Sequence, residues 1–427
     1  MQETSEKIKA SFDWVREPRI LKIINALIEF DLAKEGTSRG KGAKGEEVGR
    51  AAHADVVRFV GGCVRDSFLG LSPKDIDAAT RLHPEETIAA LEQAGISAHP
   101  TGLSHGTITA AYDDAVVEIT TLRSDVSTDG RRAVVAFTDD WTLDAKRRDF
   151  TINALYVSPQ LSVFDPVGGM DDLASGTVRF IGNPEQRIKE DYLRILRFFR
   201  FSARFAANGF DATGLSACRR LKDGLSQLSA ERIGAEMLAL LSLPKATDAL
   251  EVMAEAGILQ AIYPHRAELS VGAALKDRQP DVPAAVMLAA LWGEAGSDLM
   301  SAWRLSNDDN ARRKMAVAAG SAVRPNMTPA DVRACVYRLG RMAFNDGLLL
   351  AEARGVMTHE IVRAYADIAV AHAPPVFPLS GKDLLALGIE SGPRIGEILR
   401  AVERRWVEED FPGKDRLREI LNEEIRK

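Results

Sequence analysis

Two aspartates, Asp75 and Asp77, stand one residue apart in Lys74-Asp-Ile-Asp-Ala-Ala-Thr80. In a strand over Lys74–Thr80, alternation sends both carboxylates to one face and Ile76 to the other. Like charges so placed repel unless a cation sits between them, and hard oxygen donors favour Mg²⁺. A second signal lies just upstream. Val56-Val-Arg-Phe-Val60 reads as a buried strand that stops at Gly61-Gly62. Two glycines permit a tight turn and leave no Cβ between the chain and a ligand. Val64–Leu69 then reads as the first turns of a helix. Its N-terminus would offer unpaired N–H groups to a phosphate, with Arg65 as a charged fork beside them. Taken singly, Gly-Gly is an ordinary turn and Asp-x-Asp an ordinary solvated loop. In this order and spacing they point to metal-assisted phosphoryl or nucleotidyl transfer.

Residues 56–180 must position these groups, and they read as alternating strands and helices. Pro84–Gln93 is helical, and Thr107–Tyr112 pairs with Ala115–Leu122 around Asp113-Asp114. Glu118 lies in the second of these strands. It is either a third carboxylate beside the pair or a solvent-facing strand residue, and the sequence leaves both open. Residues 123–141 are polar with few periodic apolar positions, so a mobile loop is expected there. Upstream, Ile20, Ile23, Ile24, Leu27 and Ile28 give Pro18–Phe30 one apolar helical stripe. Residues 31–50 then turn glycine-rich, with Arg39, Lys41 and Lys44 interspersed, and read as a flexible insertion.

Downstream, residues 187–204 form the second informative stretch. Tyr192, Ile195, Leu196, Phe199 and Ala203 fall on one side of a helix. Arg187, Glu190, Arg194, Arg197, Arg200 and Arg204 fall on the other. Such an arginine face suggests phosphate recognition, against the alternative of a solvated face laced with ion pairs. From about residue 246 the pattern is helical, with stretches at 247–256, 283–295, 309–321, 329–338, 343–354 and 359–371. Ala373-Pro-Pro-Val-Phe-Pro378 marks a linker.

The totals set bounds. A chain of 427 residues, 46% hydrophobic and 27% charged, is a globular protein of about two to four domains. No apolar run is long enough to span a bilayer, so no membrane role is expected. The first residues lack a signal peptide's pattern. Three widely separated cysteines give no metal-ligand spacing, and a reducing cytoplasm is the simplest setting. A net charge of −6 argues against a broadly basic surface that grips any RNA.

Gly61-Gly-Cys-Val-Arg-Asp66 followed by Asp75-Ile-Asp77 resembles the first motif of the class II tRNA nucleotidyltransferase and bacterial poly(A) polymerase family. Arg147-Arg-Asp-Phe-Thr-Ile-Asn-Ala154 resembles its second motif. Glu190-Asp-Tyr-Leu-Arg-Ile-Leu-Arg-Phe-Phe-Arg-Phe201 resembles its amino-acid template. Asp165–Leu173 is similar to the hinge motif, and Leu228-Ser-Ala-Glu-Arg-Ile233 to the last motif, with Ser229 as a helix cap.

The resemblance implies an α+β fold: a nucleotidyltransferase head with a small mixed sheet, then helical neck, body and tail. The expected divisions are residues 1–50 for the N-terminal helix and insertion, 51–180 for the head, 181–245 for the neck, 246–372 for the body and 373–427 for a tRNA-binding tail. It implies addition of CCA to the tRNA 3′ end from CTP and ATP, with pyrophosphate released. Asp75 and Asp77 would be catalytic and hold two Mg²⁺ ions. Gly61, Gly62, Arg65 and Arg148 would orient the triphosphate, and Asp149 and Asn153 would recognise the ribose hydroxyls. Within the template motif that begins at Glu190, Asp191 would accept from cytosine N4 or adenine N6, and Arg194 would donate to cytosine N3 or adenine N1. Uracil and guanine present the opposite pattern and would leave these groups unpaired. Arg197 and Arg200 would hold the template or the nucleotide phosphates. A loop in the region of residues 123–141 is what the resemblance associates with full CCA addition. The alternatives are a poly(A) polymerase, an A-adding enzyme, an inactive RNA-binding protein on this fold, and a nucleotidyltransferase acting on a small molecule.

Overall fold

The computed structural model describes residues 11–38, 55–129 and 132–427. The chain divides into two compact units, Met1–Leu228 with Ala256–Ile258, and Ser229–Glu255 with Leu259–Lys427.

The first unit is α+β, as expected. Its elements begin with α1 (Pro18–Ser38), β1 (Val57–Val60), α2 (Gly62–Phe68), β2 (Asp77–Thr80) and α3 (Pro84–Gln93). Next come β3 (Ser97–Gly102), β4 (Thr107–Tyr112), β5 (Ala115–Thr121), β6 (Arg123–Asp129) and β7 (Arg132–Phe137). They are followed by α4 (Trp141–Lys146), β8 (Tyr156–Val157), β9 (Val163–Phe164), α5 (Gly169–Ala174), α6 (Pro184–Glu190), α7 (Leu193–Phe205) and α8 (Ala212–Leu221). Seven strands form one sheet in the order β3-β4-β5-β2-β1-β8-β9. β2 and β5 run parallel with Asp77 opposite Glu118. Residues paired across neighbouring strands project to the same face, so the two carboxylates share one.

The predicted apolar stripe of α1 is buried: Ile23, Ile24 and Leu27 are fully enclosed. The segment before it is fixed by Trp14, whose Nε1 donates to Ser67 Oγ at 2.8 Å and whose ring meets Phe59 edge-on. Four expectations need correction. Residues 31–38 continue α1 instead of starting the insertion, because Asp31-Leu-Ala-Lys-Glu35 are adequate helix formers. The rest of that insertion, with Arg39, Lys41 and Lys44, lies outside the described residues. The strand expected over Lys74–Thr80 begins only at Asp77, so Asp75 precedes it in a bend. Residues 123–129 and 132–137 are not an irregular loop but the antiparallel pair β6–β7, in which Arg123 faces Phe137. Its β-branched residues outweigh the polar composition.

The fourth correction concerns the helix expected over 187–204, which is two helices. Asp191 is extended, at φ −157° and ψ 108°. Its Oδ1 accepts from the Leu193 N–H at 3.1 Å, the local competition with helix that aspartate is prone to. α7 then buries Ile195, Leu196, Phe198 and Phe199. Phe198 stacks on Phe180 at 5.3 Å between ring centres, and Phe150 lies 5.0 Å from Phe180. Tyr192, at the start of α7, packs on Gly224 so closely that a Cβ there would lie 2.0 Å from its ring. Gly224→Ala is therefore expected to destabilise the first unit by about 1–3 kcal/mol through overpacking. Thermal melting beside the wild type checks this, and an unchanged midpoint would refute it.

In the second unit the predicted helices are present as Ala246–Glu255, Ala284–Trp292, Asn307–Ala322, Pro329–Leu339, Arg341–Ala353 and His359–Ala371. Ala284–Trp292 is buried from Ala285 through Trp292. Ser229 occupies the N-cap position of Ala230–Leu241, as read from the sequence. Ser380 and Asp383 form a capping box at the start of Gly381–Ala386.

Candidate active site

Gly61 is where the site converges. Its φ of +76° is the left-handed region that glycine adopts without penalty. A Cβ built there would have Arg148 Nη1 at 3.7 Å, the Asn153 carbonyl oxygen at 3.9 Å and Asp77 Oδ2 at 4.0 Å. The bare Cα thus fronts a space shared by a carboxylate and a guanidinium. The Gly61 N–H itself donates to the Leu155 carbonyl at 3.3 Å. That amide is engaged inside the protein, and α2 spans only seven residues. The glycine's contribution is access more than donation.

Asp77 is a destabilised anion. Burial, Glu118 opposite it and Asp75 push its carboxyl up to about 6, against an opposing pull from Arg148. Asp75 and Glu118 also line a cavity of about 690 Å³ together with Trp14, Lys74, Ile76 and Val116. Glu118, left open by the sequence, is therefore an electrostatic neighbour of the pair. Among the described residues no group of three or more His, Cys, Asp or Glu is arranged as a ready metal cage. The donor set nevertheless suits a hard divalent cation. Mg²⁺ keeps several waters and typically binds through one or two carboxylates plus substrate phosphates, so no cage is required. Burial is the largest cause of the raised Asp77 carboxyl, and the neighbouring carboxylates of Glu118 and Asp75 add to it.

Arg148 is held by a network that the sequence reading passes over. Asp144, 1% exposed, accepts from Arg147 Nη2 at 2.6 Å on Oδ1 and from Arg148 Nη2 at 3.1 Å on Oδ2. Tyr156 OH donates to Oδ2 at 2.7 Å and accepts from Arg148 Nε at 3.1 Å. Burial works against charge at Asp144, yet Arg148, Arg147 and the Tyr156 hydroxyl bring it down to about 2. Burial likewise opposes charge on Arg148, and Tyr156 and Asp144 overcome it. The signal available in the sequence was an Asp three and four residues before two arginines, the helical ion-pair spacing.

Asp149 and Asn153 are both buried. Asn153 Nδ2 donates to Asp149 Oδ1 at 3.1 Å, and its Oδ1 accepts from Arg65 Nη1. Arg65 Nε also donates to Asp66 Oδ1 at 2.8 Å, and its guanidinium lies 4.2 Å from the centre of the Phe205 ring. Its nitrogens are engaged within the protein. Arg197 pairs with Asp149 Oδ2 at 2.6 Å, and burial of Asp149 is outweighed so that its carboxyl stays below the usual range.

The arginine face is turned largely onto protein carboxylates and carbonyls. Arg194 Nη1 donates to Glu190 Oε2 at 2.5 Å and to the Arg187 carbonyl at 2.7 Å, and its Nη2 reaches the Arg147 carbonyl at 3.4 Å. Arg187, buried, pairs with Glu190 and donates to the carbonyls of Arg147 and Arg148. Arg204 meets Asp66 at 3.1 Å, and Arg200 lies 4.6 Å from the Phe201 ring centre. α6 through Arg187 and α7 through Arg194, on either side of Asp191, are thereby fastened to the backbone of Arg147 and Arg148.

Comparison with known proteins places this geometry. Residues 57–179 match the model described as Poly A polymerase head domain, and residues 210–269 the one described as Probable RNA and SrmB-binding site of polymerase A. The mitochondrial CCA tRNA nucleotidyltransferase 1 of Danio rerio is 32% identical over 404 residues, covering 86% of this chain and 87% of its own. The chain belongs to the CCA tRNA nucleotidyltransferase family. A CCA-adding enzyme of Streptococcus uberis is 30% identical over 83% of this chain and 89% of its own. The fold matches the crystal structure of the Bacillus stearothermophilus CCA-adding enzyme in complex with CTP, with a TM-score of 0.70 over 95% of this chain and 98% of that one, at 23% identity. It also matches the Thermotoga maritima CCA-adding enzyme complexed with tRNA, with a TM-score of 0.60 over 87% and 90% at 20% identity. CCA tRNA nucleotidyltransferases are enzymes whose chemistry uses a divalent metal ion. Among the described residues, no helix is long and apolar enough to cross a membrane.

Proposed function

We infer that this enzyme adds cytidine, cytidine and adenosine to the 3′ end of tRNA from CTP and ATP, releasing pyrophosphate. The observation that carries the reading is the meeting of Asp77 and Arg148 at Gly61, with Arg194 fastened to the adjoining Arg147 carbonyl. Acid pair, triphosphate cation and base-reading arginine thus lie within one unit.

Asp75 and Asp77 are assigned to hold Mg²⁺, with Glu118 adding negative potential. A divalent ion held there would neutralise these carboxylates and supply Lewis-acid stabilisation as the RNA 3′-hydroxyl attacks the α-phosphorus and pyrophosphate leaves. Gly61 and Gly62 let the triphosphate approach, and Arg148 orients it. Arg65 is assigned to bracing: it holds Asn153, which with Asp149 faces the ribose. Asp191 and Arg194 select the base by acceptor and donor pattern. Glu190 aims Arg194, and Arg197 and Arg200 complete the nucleotide wall. The helical second unit supplies tRNA contacts. Cys63, Cys218 and Cys335, all free thiols, fit a reducing compartment such as the cytoplasm.

The test is incorporation into tRNA lacking its terminal CCA, with labelled CTP alone, ATP alone and both together. Two cytidines followed by one adenosine are expected. A long adenosine tail without use of CTP would instead make this a poly(A) polymerase.

A further inference from the structure

One buried carboxylate, Asp144 on α4, gathers Arg147, Arg148, Tyr156 and the root of the β6–β7 hairpin. Asp144 Oδ1 takes Arg147 Nε at 2.8 Å and the backbone N–H of Arg123 at 3.3 Å. Oδ2 takes Arg148 Nη2 at 3.1 Å and the Tyr156 hydroxyl at 2.7 Å. Arg123 opens the β6–β7 hairpin, and Asp140, just after the hairpin's other strand, caps α4 by accepting from Thr142 N at 2.7 Å. Both roots of the hairpin are thus tied to the helix that bears Asp144. From Arg147 and Arg148 the backbone carbonyls run on to Arg187 and Arg194.

We propose that Asp144 is a positioning residue that sets the triphosphate arginine and the base-reading arginine together, through its clamp on Arg147 and Arg148. The role rests on the nucleotidyl-transfer reading above. A guanidinium held by one oxygen and a neighbouring hydroxyl keeps a single orientation, which is what pre-organised recognition of a phosphate requires. The same clamp fixes the Arg147 peptide, and the Arg147 carbonyl is one of the acceptors that aim Arg194. Neither arginine is aimed by its own rotamer alone. In Asp144→Asn an amide N–H₂ faces a guanidinium, donor against donor, while the side-chain volume is kept. One arginine would then face a donor, and the other would keep an acceptor but lose its charged partner.

The experiment is steady-state incorporation by the full-length protein on tRNA lacking CCA, varying CTP, ATP and UTP. For Asp144→Asn, KM for CTP and ATP should rise at least about tenfold with kcat within about threefold, and the preference for CTP over UTP should fall about tenfold. Tyr156→Phe, which deletes one hydroxyl from the same clamp, should move KM and preference the same way by about threefold. A purely structural defect would reduce the active fraction, lowering kcat and leaving KM and preference as they were. Wild-type KM values and wild-type preference in Asp144→Asn would overturn the proposal. If that variant does not fold, by thermal melting, the same result in Tyr156→Phe would overturn it. Wild-type protein inert towards CTP would instead sink the functional reading itself, and the positioning role with it.

Discussion

Asp77→Asn is expected to abolish nucleotide addition while making the protein more stable. Loss of a metal-holding carboxylate removes several kcal/mol of transition-state stabilisation, a fall in kcat of about 10³-fold or more. The stability change has the opposite sign. A carboxyl that titrates near 6 in the folded protein, against an ordinary value near 4, is protonated more readily folded than unfolded. Stability therefore falls as pH rises from about 4 to about 6, and the penalty is complete above that. It amounts to about 2–3 kcal/mol, before any counter-ion binds. The asparagine variant should melt higher than the wild type at pH 7 without divalent cation, and level with it near pH 4. Added Mg²⁺ should raise the wild-type midpoint and leave the variant's unmoved. A variant that retains turnover, or gains nothing in stability at pH 7, would contradict the assignment.

Arg194→Ala should damage choice as much as rate. Its guanidinium is fixed by Glu190 and two carbonyls, so its remaining donor capacity is directional. A buried polar pocket rejects the wrong base because mismatched groups are left unpaired, and removing the donor removes that penalty. About 10²-fold should be lost in kcat/KM for CTP and ATP, with the ratio of CTP to UTP use falling by a similar factor. Competition between labelled CTP and UTP on one tRNA measures this. If the ratio held while the rate dropped, base selection would have to be assigned elsewhere. Arg194 is a cleaner probe than Asp191, whose Oδ1 also starts α7.

Much of this was legible in the sequence because motif and element coincide. The glycine turn, the hairpin β4–β5, the stripe of α1 and the helices of the second unit follow from local pattern. Asp77 and Glu118 were harder: 41 positions apart in the chain, they meet only through the parallel pairing of β2 with β5, which no local period encodes. The break at Asp191 was hidden because the apolar residues on both sides keep one helical phase, while a single side chain–backbone bond decides the conformation. The partners of the arginine face were hidden for a related reason. Spacing tells which residues share a face but not that Asp66 and Asp149, from distant parts of the chain, meet Arg204 and Arg197 there. The β6–β7 hairpin was concealed by its polar composition, since its order comes from strand pairing.

The parallel seam between β2 and β5 has one more implication. Adjacent strands keep a spacing of about 4.8 Å whatever their side chains, so the backbones bearing Asp77 and Glu118 form calipers of fixed jaw width. The gauge across those two backbones stays the same as long as the ladder between them holds.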